Sequence, residues 1–172
     1  MVEYLASRVP AARVVWDATG NALETFVEAC RWADEGPALH MEEDVILTKG
    51  FVAKANAAIG ARPGQAIQFF SMRAADLAVG SREEPGRTFL MGQCFYLPAG
   101  ISAAMAKYAG GWPGREKHPT GLDTMVADYL KAFGLRYWIH VPSLVQHRAG
   151  KSAIDPRRSS SRQSKTFHDP DE

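Results

Sequence analysis

Three consecutive carboxylates, Glu42, Glu43 and Asp44, follow the short apolar stretch 38–41. Burying such a run is costly unless a cation neutralises it, and oxygen ligands suit a hard ion such as Mg2+ or Mn2+. On an extended segment Glu42 and Asp44 share one side, because strand side chains alternate with period two. Two such oxygens plus a diphosphate could hold one octahedral ion. The same run also reads as a solvated acidic turn, the usual state of a block of like charge. His147 closes a late apolar segment and is either a further ligand or a hydrogen-bonded structural histidine. Asp123 stands where a helix follows a loop. It reads either as a general base or as a cap or dipole partner of the helix N-terminus. His118 reads as a loop histidine. Arg157, Arg158, Arg162 and Lys165 form a basic stretch of the C-terminal tail. They are either a solvated end or contacts that close on an anionic ligand.

The elements that must position these groups follow from periodicity. Residues 2–9 carry Val2, Leu5 and Val9 at helical spacing, and Pro10 stops them. Residues 13–16 read as a strand ending at Asp17. Asn21 and Glu24 resemble a capping box that opens a helix with Leu23, Phe26, Val27 and Cys30 on its apolar face. A strand over 38–41 delivers the acids, and a helix over 51–59 follows them. Residues 66–72 and 89–97 are predicted strands beside the 38–41 strand, and 73–87 a loop. Gly92 interrupts the second of these strands, as a bulge or a close approach requires. Helices are predicted from Gly100 to Tyr108 and from Asp123 to Gly134, with a Gly- and Pro-rich loop over 110–121 between them. A strand over 136–141 leads into a structured turn over 142–147. Alternating helices and strands predict one α/β domain with a mixed, mostly parallel sheet flanked by helices. Sites in such sheets form at the carboxyl ends of strands, where Asp17, the acids and the 142–147 turn fall.

A chain of 172 residues with 46% hydrophobic and 23% charged residues can bury one core and does not read as disordered. Its net charge of +1 gives no global attraction to nucleic acid or membrane. Cys30 and Cys94, its two cysteines, have no CxxC or zinc-like spacing and are expected as buried, unbridged thiols. No stretch approaches the roughly 18 apolar residues of a membrane span. Glu3 and Arg8 argue against a signal peptide. The expectation is a cytoplasmic protein, with a domain over 1–152 and a polar tail over 153–172.

Leu39-His-Met-Glu-Glu-Asp-Val-Ile-Leu47, followed by Phe51, resembles the acidic metal-binding region of GT-A fold glycosyltransferases. Val141-Pro-Ser-Leu-Val-Gln-His147, followed by Ser152, is similar to the C-terminal signature of one group of these enzymes. That group includes the N-glycan-branching N-acetylglucosaminyltransferases and small bacterial and phage enzymes. Gly92-Gln-Cys-Phe-Tyr-Leu-Pro98 looks like the strand before the acceptor region, and Gly121-Leu-Asp123 like the segment that carries the catalytic acid. The blocks keep the family's order over residues 13–152, and Pro-Ser-Leu-Val-Gln-His is the most specific of them. Glu43 stands where the family often has Asp. The chain also starts at the counterpart of the helix after the usual first strand, the strand that grips the nucleotide base.

The resemblance implies a single GT-A-like (Rossmann-like) domain lacking that first strand. Its activity would be metal-dependent, with Mn2+ or Mg2+ as the cofactor and a nucleotide-sugar as the donor. The acceptor hydroxyl would lie on a glycan, a protein or a modified nucleic-acid base. Glu42, Asp44 and His147 would hold the metal, and Asp123 would be the catalytic base of an inverting transfer. Asp17, Glu43, Gly92, Gln93 and Ser152 would contact the donor. Two other classes use the same residues. A metal-dependent phosphoesterase or nuclease would activate water instead, and a non-catalytic nucleotide-sugar or glycan-binding module would bind without turnover.

Overall fold

Alternation along the strands divides the core in two. The structure, a computed structural model, describes residues 2–149 and 162–171. Its main sheet contains β1 (Ala38–Met41), β3 (Ala66–Gln68), β4 (Arg82–Pro85), β5 (Cys94–Leu97) and β6 (Arg136–Ile139), in the order β1-β5-β3-β6-β4. Phe95, Leu97, Tyr137 and Ile139 face one side, among Leu23, Phe26, Met105, Met125 and Leu130. Those partners come from α2 (Ala22–Ala33), α5 (Ile101–Gly110) and α6 (Leu122–Ala132). Cys94, Tyr96 and Ile67 face the other side, among Val45, Leu47, Phe51, Leu144 and Val145. That layer holds α3 (Phe51–Ala61), α1 (Val2–Arg8) and a separate strand pair, β2 (Val45–Leu47) with β7 (Val145–His147). Each large apolar side chain so buried contributes about 1.5–3 kcal/mol, whereas an exposed ion pair such as Lys49–Asp169 contributes about 0–1 kcal/mol. The core therefore holds the fold.

The fold is α/β with a mixed sheet flanked by helices, but the sheet is not mostly parallel. Among the described residues only β3 and β6 run parallel; β1–β5, β3–β5 and β4–β6 are antiparallel. Sequence neighbours are not sheet neighbours here: β5 inserts between β1 and β3, so β3 does not lie directly beside β1. Residues 13–16 are not a strand. They pair with no strand among the described residues, and Trp16 is 74% exposed, so water serves their backbone groups. The expected loop over 73–87 contains α4 (Asp76–Val79) and β4. Its Pro85 is tolerated because β4 is an edge strand. Arg82 there joins buried Asp76 at 2.8 Å and Glu84 at 2.6 Å.

Other expectations hold locally. Asn21 Oδ1 accepts from the amides of Leu23 at 3.0 Å and Glu24 at 3.3 Å, capping α2. Glu24 does not return the bond; it pairs with Arg115, and the Asn21 amide donates to Asp17 Oδ1 at 3.1 Å. Cys30 and Cys94 are free and buried, and burial pushes the Cys30 thiol up to about 12. His40 is buried against Phe26 and Phe95 with Nε2 3.2 Å from Ser102 Oγ, and burial lowers its pKa to about 4. It is a neutral core histidine. No helix among the described residues is long and apolar enough to cross a membrane.

Candidate active site

The acids sit in a turn between β1 and β2, not on an extended segment. Glu43 is exposed at the turn's tip, while Glu42 and Asp44 are half-buried on either side of it. Each is held by a different strand. The β1–β5 register, with Met41 opposite Cys94, continues by one bond, from the Glu42 amide to the Gln93 carbonyl oxygen at 2.9 Å. Gln93 Nε2 then donates to Glu42 Oε2 at 3.2 Å. On the other side, Val45 lies opposite His147 in the β2–β7 pair, and the Arg148 amide donates to the Asp44 carbonyl oxygen at 2.9 Å. That register brings His147 Nε2 to 3.1 Å from Asp44 Oδ2.

Asp123 reaches the cluster through Gly92. It lies in the first turn of α6, whose cap residue is Gly121, so it is not the cap itself. Its Oδ1 accepts from the Gly92 amide at 2.6 Å. A Cβ on residue 92 would lie 2.7 Å from that same oxygen and against Leu122 Cδ2. Only glycine permits this approach of strand entry to helix start. Glu42 senses the result. Removal from water is the largest effect on its carboxyl, followed by the charges of Asp123, Asp44 and Glu43, and together they push its pKa to about 8. At neutral pH Glu42 therefore carries a proton, next to an acid that accepts a backbone amide.

The predicted residues thus form two adjoining groups. Glu42 and Asp123 are one, each bonded to one of the adjacent residues Gln93 and Gly92. Asp44 and His147 are the other, and Asp44 Oδ1 is buried without a hydrogen-bond partner among the described residues. That orphaned oxygen and the nearby imidazole nitrogen fit a hard divalent ion. Among the described residues no group of three or more His, Cys, Asp or Glu side chains is gathered to hold a metal; two meet.

Asp17 is committed elsewhere. Its Oδ1 accepts from the amides of Thr19, Gly20 and Asn21 at 3.0, 2.8 and 3.1 Å. Its pKa is lowered, by the Thr19 amide bond above all. This is the short-range turn chemistry of aspartate. His118 lies in the loop after α5 and stacks on Trp112, with ring centroids 6.5 Å apart. Ser152, Arg157 and Arg158 lie outside the described residues.

Of the two readings of the basic tail, a solvated end or contacts to an anion, the first does not hold for residues 162–171. Ser164 and Thr166 are buried. The Ser164 amide donates to Gln146 Oε1 at 2.8 Å, and the Ser143 amide to Thr166 Oγ1 at 3.1 Å. The Asp171 amide donates to the Leu47 carbonyl oxygen at 2.8 Å. Arg162, at the head of this segment, places Nη2 2.8 Å from His147 Nε2. The only hint in the sequence was the alternation of Ser164 and Thr166, too short to distinguish from a polar tail. A cavity of about 410 Å3 opens at the other end of the β2–β7 pair, among Thr48, Lys54, His140, Leu144 and His168. It shares no residue with the acid cluster. Hydrogen bonds and charge, not concavity, locate the candidate site.

No family model, no curated protein and no solved structure matches the chain.

Proposed function

We propose that the protein transfers a sugar from a nucleotide-diphosphate donor to an acceptor hydroxyl, with inversion at the anomeric carbon. The observation that carries this reading is that Asp123 and Glu42 are tied to the adjacent residues Gly92 and Gln93, near enough for the Asp123 charge to raise the Glu42 carboxyl, beside the Asp44–His147 contact. The reaction needs those two functions side by side. The acceptor oxygen must lose its proton as it attacks the anomeric carbon, and a carboxylate within hydrogen-bond reach takes it. Asp123 is that base. Its Oδ1 is held in place by the Gly92 amide. Glu42, holding its own proton near neutrality, keeps a second negative charge away from the base. The bond from the anomeric carbon to the diphosphate oxygen breaks, and the diphosphate leaves with the electron pair. Asp44 and His147 would hold a divalent ion, which would supply Lewis-acid stabilisation of that leaving group.

The Pro-Ser-Leu-Val-Gln-His run supports the same reading, because it is the part of the chain that sets His147 against Asp44. The test pairs binding with turnover. Uridine and guanosine diphosphate sugars are screened by thermal shift with and without Mn2+, and release of nucleoside diphosphate is followed for any that stabilise the protein. A ligand stabilises the folded state by RT ln(1 + [L]/Kd), so a shift that needs Mn2+ and one nucleotide class is expected. Hydrolysis of a simple phosphodiester without any response to nucleotide-sugars would overturn the transferase in favour of a phosphoesterase. Binding without release would reduce it to a binding module.

A further inference from the structure

His147 is shared by two partners through one lone pair. Its Nδ1 lies 2.6 Å from the Arg148 carbonyl oxygen, which can only accept, so Nδ1 carries the ring's proton. In the neutral ring Nε2 then has a lone pair and no hydrogen. Asp44 Oδ2 faces it at 3.1 Å and Arg162 Nη2 at 2.8 Å. The guanidinium can donate to that lone pair; the carboxylate is a second acceptor and cannot. A cation beside Nε2 and Oδ2 resolves the conflict, and Arg162 is the cation the chain itself supplies. The same geometry suits an ion. Two neighbouring ligands of an octahedral ion with ~2.1 Å bonds stand about 3.0 Å apart, close to the 3.1 Å between His147 Nε2 and Asp44 Oδ2.

We propose that Arg162 is the resident cation of the Asp44–His147 seat, and that a divalent ion binds there only by displacing it. The proposal rests on the reading of that pair as the transferase's metal seat, and adds that the C-terminal segment sets its affinity. Two positive charges sharing one imidazole nitrogen repel strongly in a half-buried site, so the occupants exclude each other. Arg162 is also an imperfect occupant: among the described residues its Nε is buried without a hydrogen-bond partner, as is Asp44 Oδ1. Its departure does not require the segment to unfold. The anchors lie beyond it, where the Ser164 amide meets Gln146 at 2.8 Å, and the amides of Lys49 and Asp171 meet the carbonyl oxygens of Asp169 and Leu47, each at 2.8 Å.

The experiment is Mn2+ titration by calorimetry, without nucleotide, on the wild-type chain, Arg162→Gln and Arg162→Ala. Thermal melting checks that all three are folded. Gln keeps hydrogen-bond donors and Ala removes them, while both remove the charge, so agreement between them assigns the effect to the cation. The expected result is Mn2+ affinity at least about tenfold tighter in both variants, the factor that corresponds to 1.4 kcal/mol. Equal or weaker affinity in folded variants overturns the competition but leaves the seat standing. No Mn2+ binding by any of the three, at millimolar ion, overturns the seat and the competition together. Turnover of a nucleotide-sugar in the presence of Mn2+, measured separately on the wild-type chain, shows whether the transferase reading fails with them.

Discussion

The Gly92 amide donates to Asp123 Oδ1 at 2.6 Å, across the interface between the entry to β5 and the start of α6. This bond separates two roles for Asp123. Asparagine at 123 keeps an oxygen to accept it, so Asp123→Asn should leave the melting temperature within a few degrees of wild type. As a base, asparagine is useless. Transfer should fall by roughly 10²- to 10⁴-fold, in kcat and kcat/KM together, because proton removal belongs to the transition state. Donor and Mn2+ affinity should hardly change. A folded variant with wild-type transfer would end the assignment.

Gly92→Ala tests the same bond from the other side. The added Cβ meets Asp123 Oδ1 at 2.7 Å and Leu122 Cδ2. The leucine end can rotate away, but the carboxylate is tied to the backbone of residue 92 itself. Overpacking of this kind costs roughly 1–3 kcal/mol, and the expected outcome is a lowered melting temperature with a loss of transfer larger than the stability change accounts for. Alanine tolerated in both measurements would show that the close approach is not needed.

Glu42 links the site to pH. Its carboxyl is raised from 4.5 to about 8, first by removal from water and then by the charges of Asp123, Asp44 and Glu43. Between those two values the folded chain holds a proton that the unfolded chain has lost. Unfolding free energy therefore falls as pH rises through that window and levels off above about pH 8. Glu42→Gln is neutral in both states and still offers Gln93 an acceptor oxygen. Its advantage over wild type should grow from about pH 5 to about pH 8 in urea midpoints. Parallel profiles would show that another group titrates there.

How far the site could be read in advance depended on how local each cause was. The helix starts and the buried thiols were legible because caps and apolar spacing act over a few residues, as at Asn21. Glu42, Asp44, Asp123 and His147 could be selected by residue type and motif. Their division into two groups could not, because it follows from which strand meets which. Met41 opposite Cys94 delivers Glu42 to Gln93, and Val45 opposite His147 delivers Asp44 to the imidazole. Strand β2 was missed since three residues, Val45–Leu47, are too few to show a period. Residues 13–16 have strand composition but pair with no strand among the described residues, which composition cannot reveal. Asp17 was expected as a donor contact at a strand end; its Oδ1 ties together its own turn. Arg162 was one of several tail cations until the pairing of Gln146 with Ser164 fixed where it stands.

Asp44→Asn and His147→Ala together decide whether the seat binds an ion. Asp44→Asn removes the charge without changing volume, and its side chain still offers one oxygen near the imidazole. A divalent ion depends on the charge, so Mn2+ affinity should fall at least about a hundredfold, equivalent to about 2.7 kcal/mol. His147→Ala is different. The imidazole is 4% exposed, and its Nδ1 bond to the Arg148 carbonyl oxygen is 2.6 Å long. Losing a buried hydrogen bond and its packing should cost roughly 1–3 kcal/mol of stability. Water can replace one nitrogen ligand, so Mn2+ affinity should fall by a smaller factor, about tenfold. The order of the two variants is the informative outcome: stability falls more in His147→Ala and Mn2+ affinity more in Asp44→Asn. If both variants destabilise the chain and neither changes Mn2+ binding, the Asp44–His147 contact is a structural pair that fastens β2 to β7, and the ion sits elsewhere.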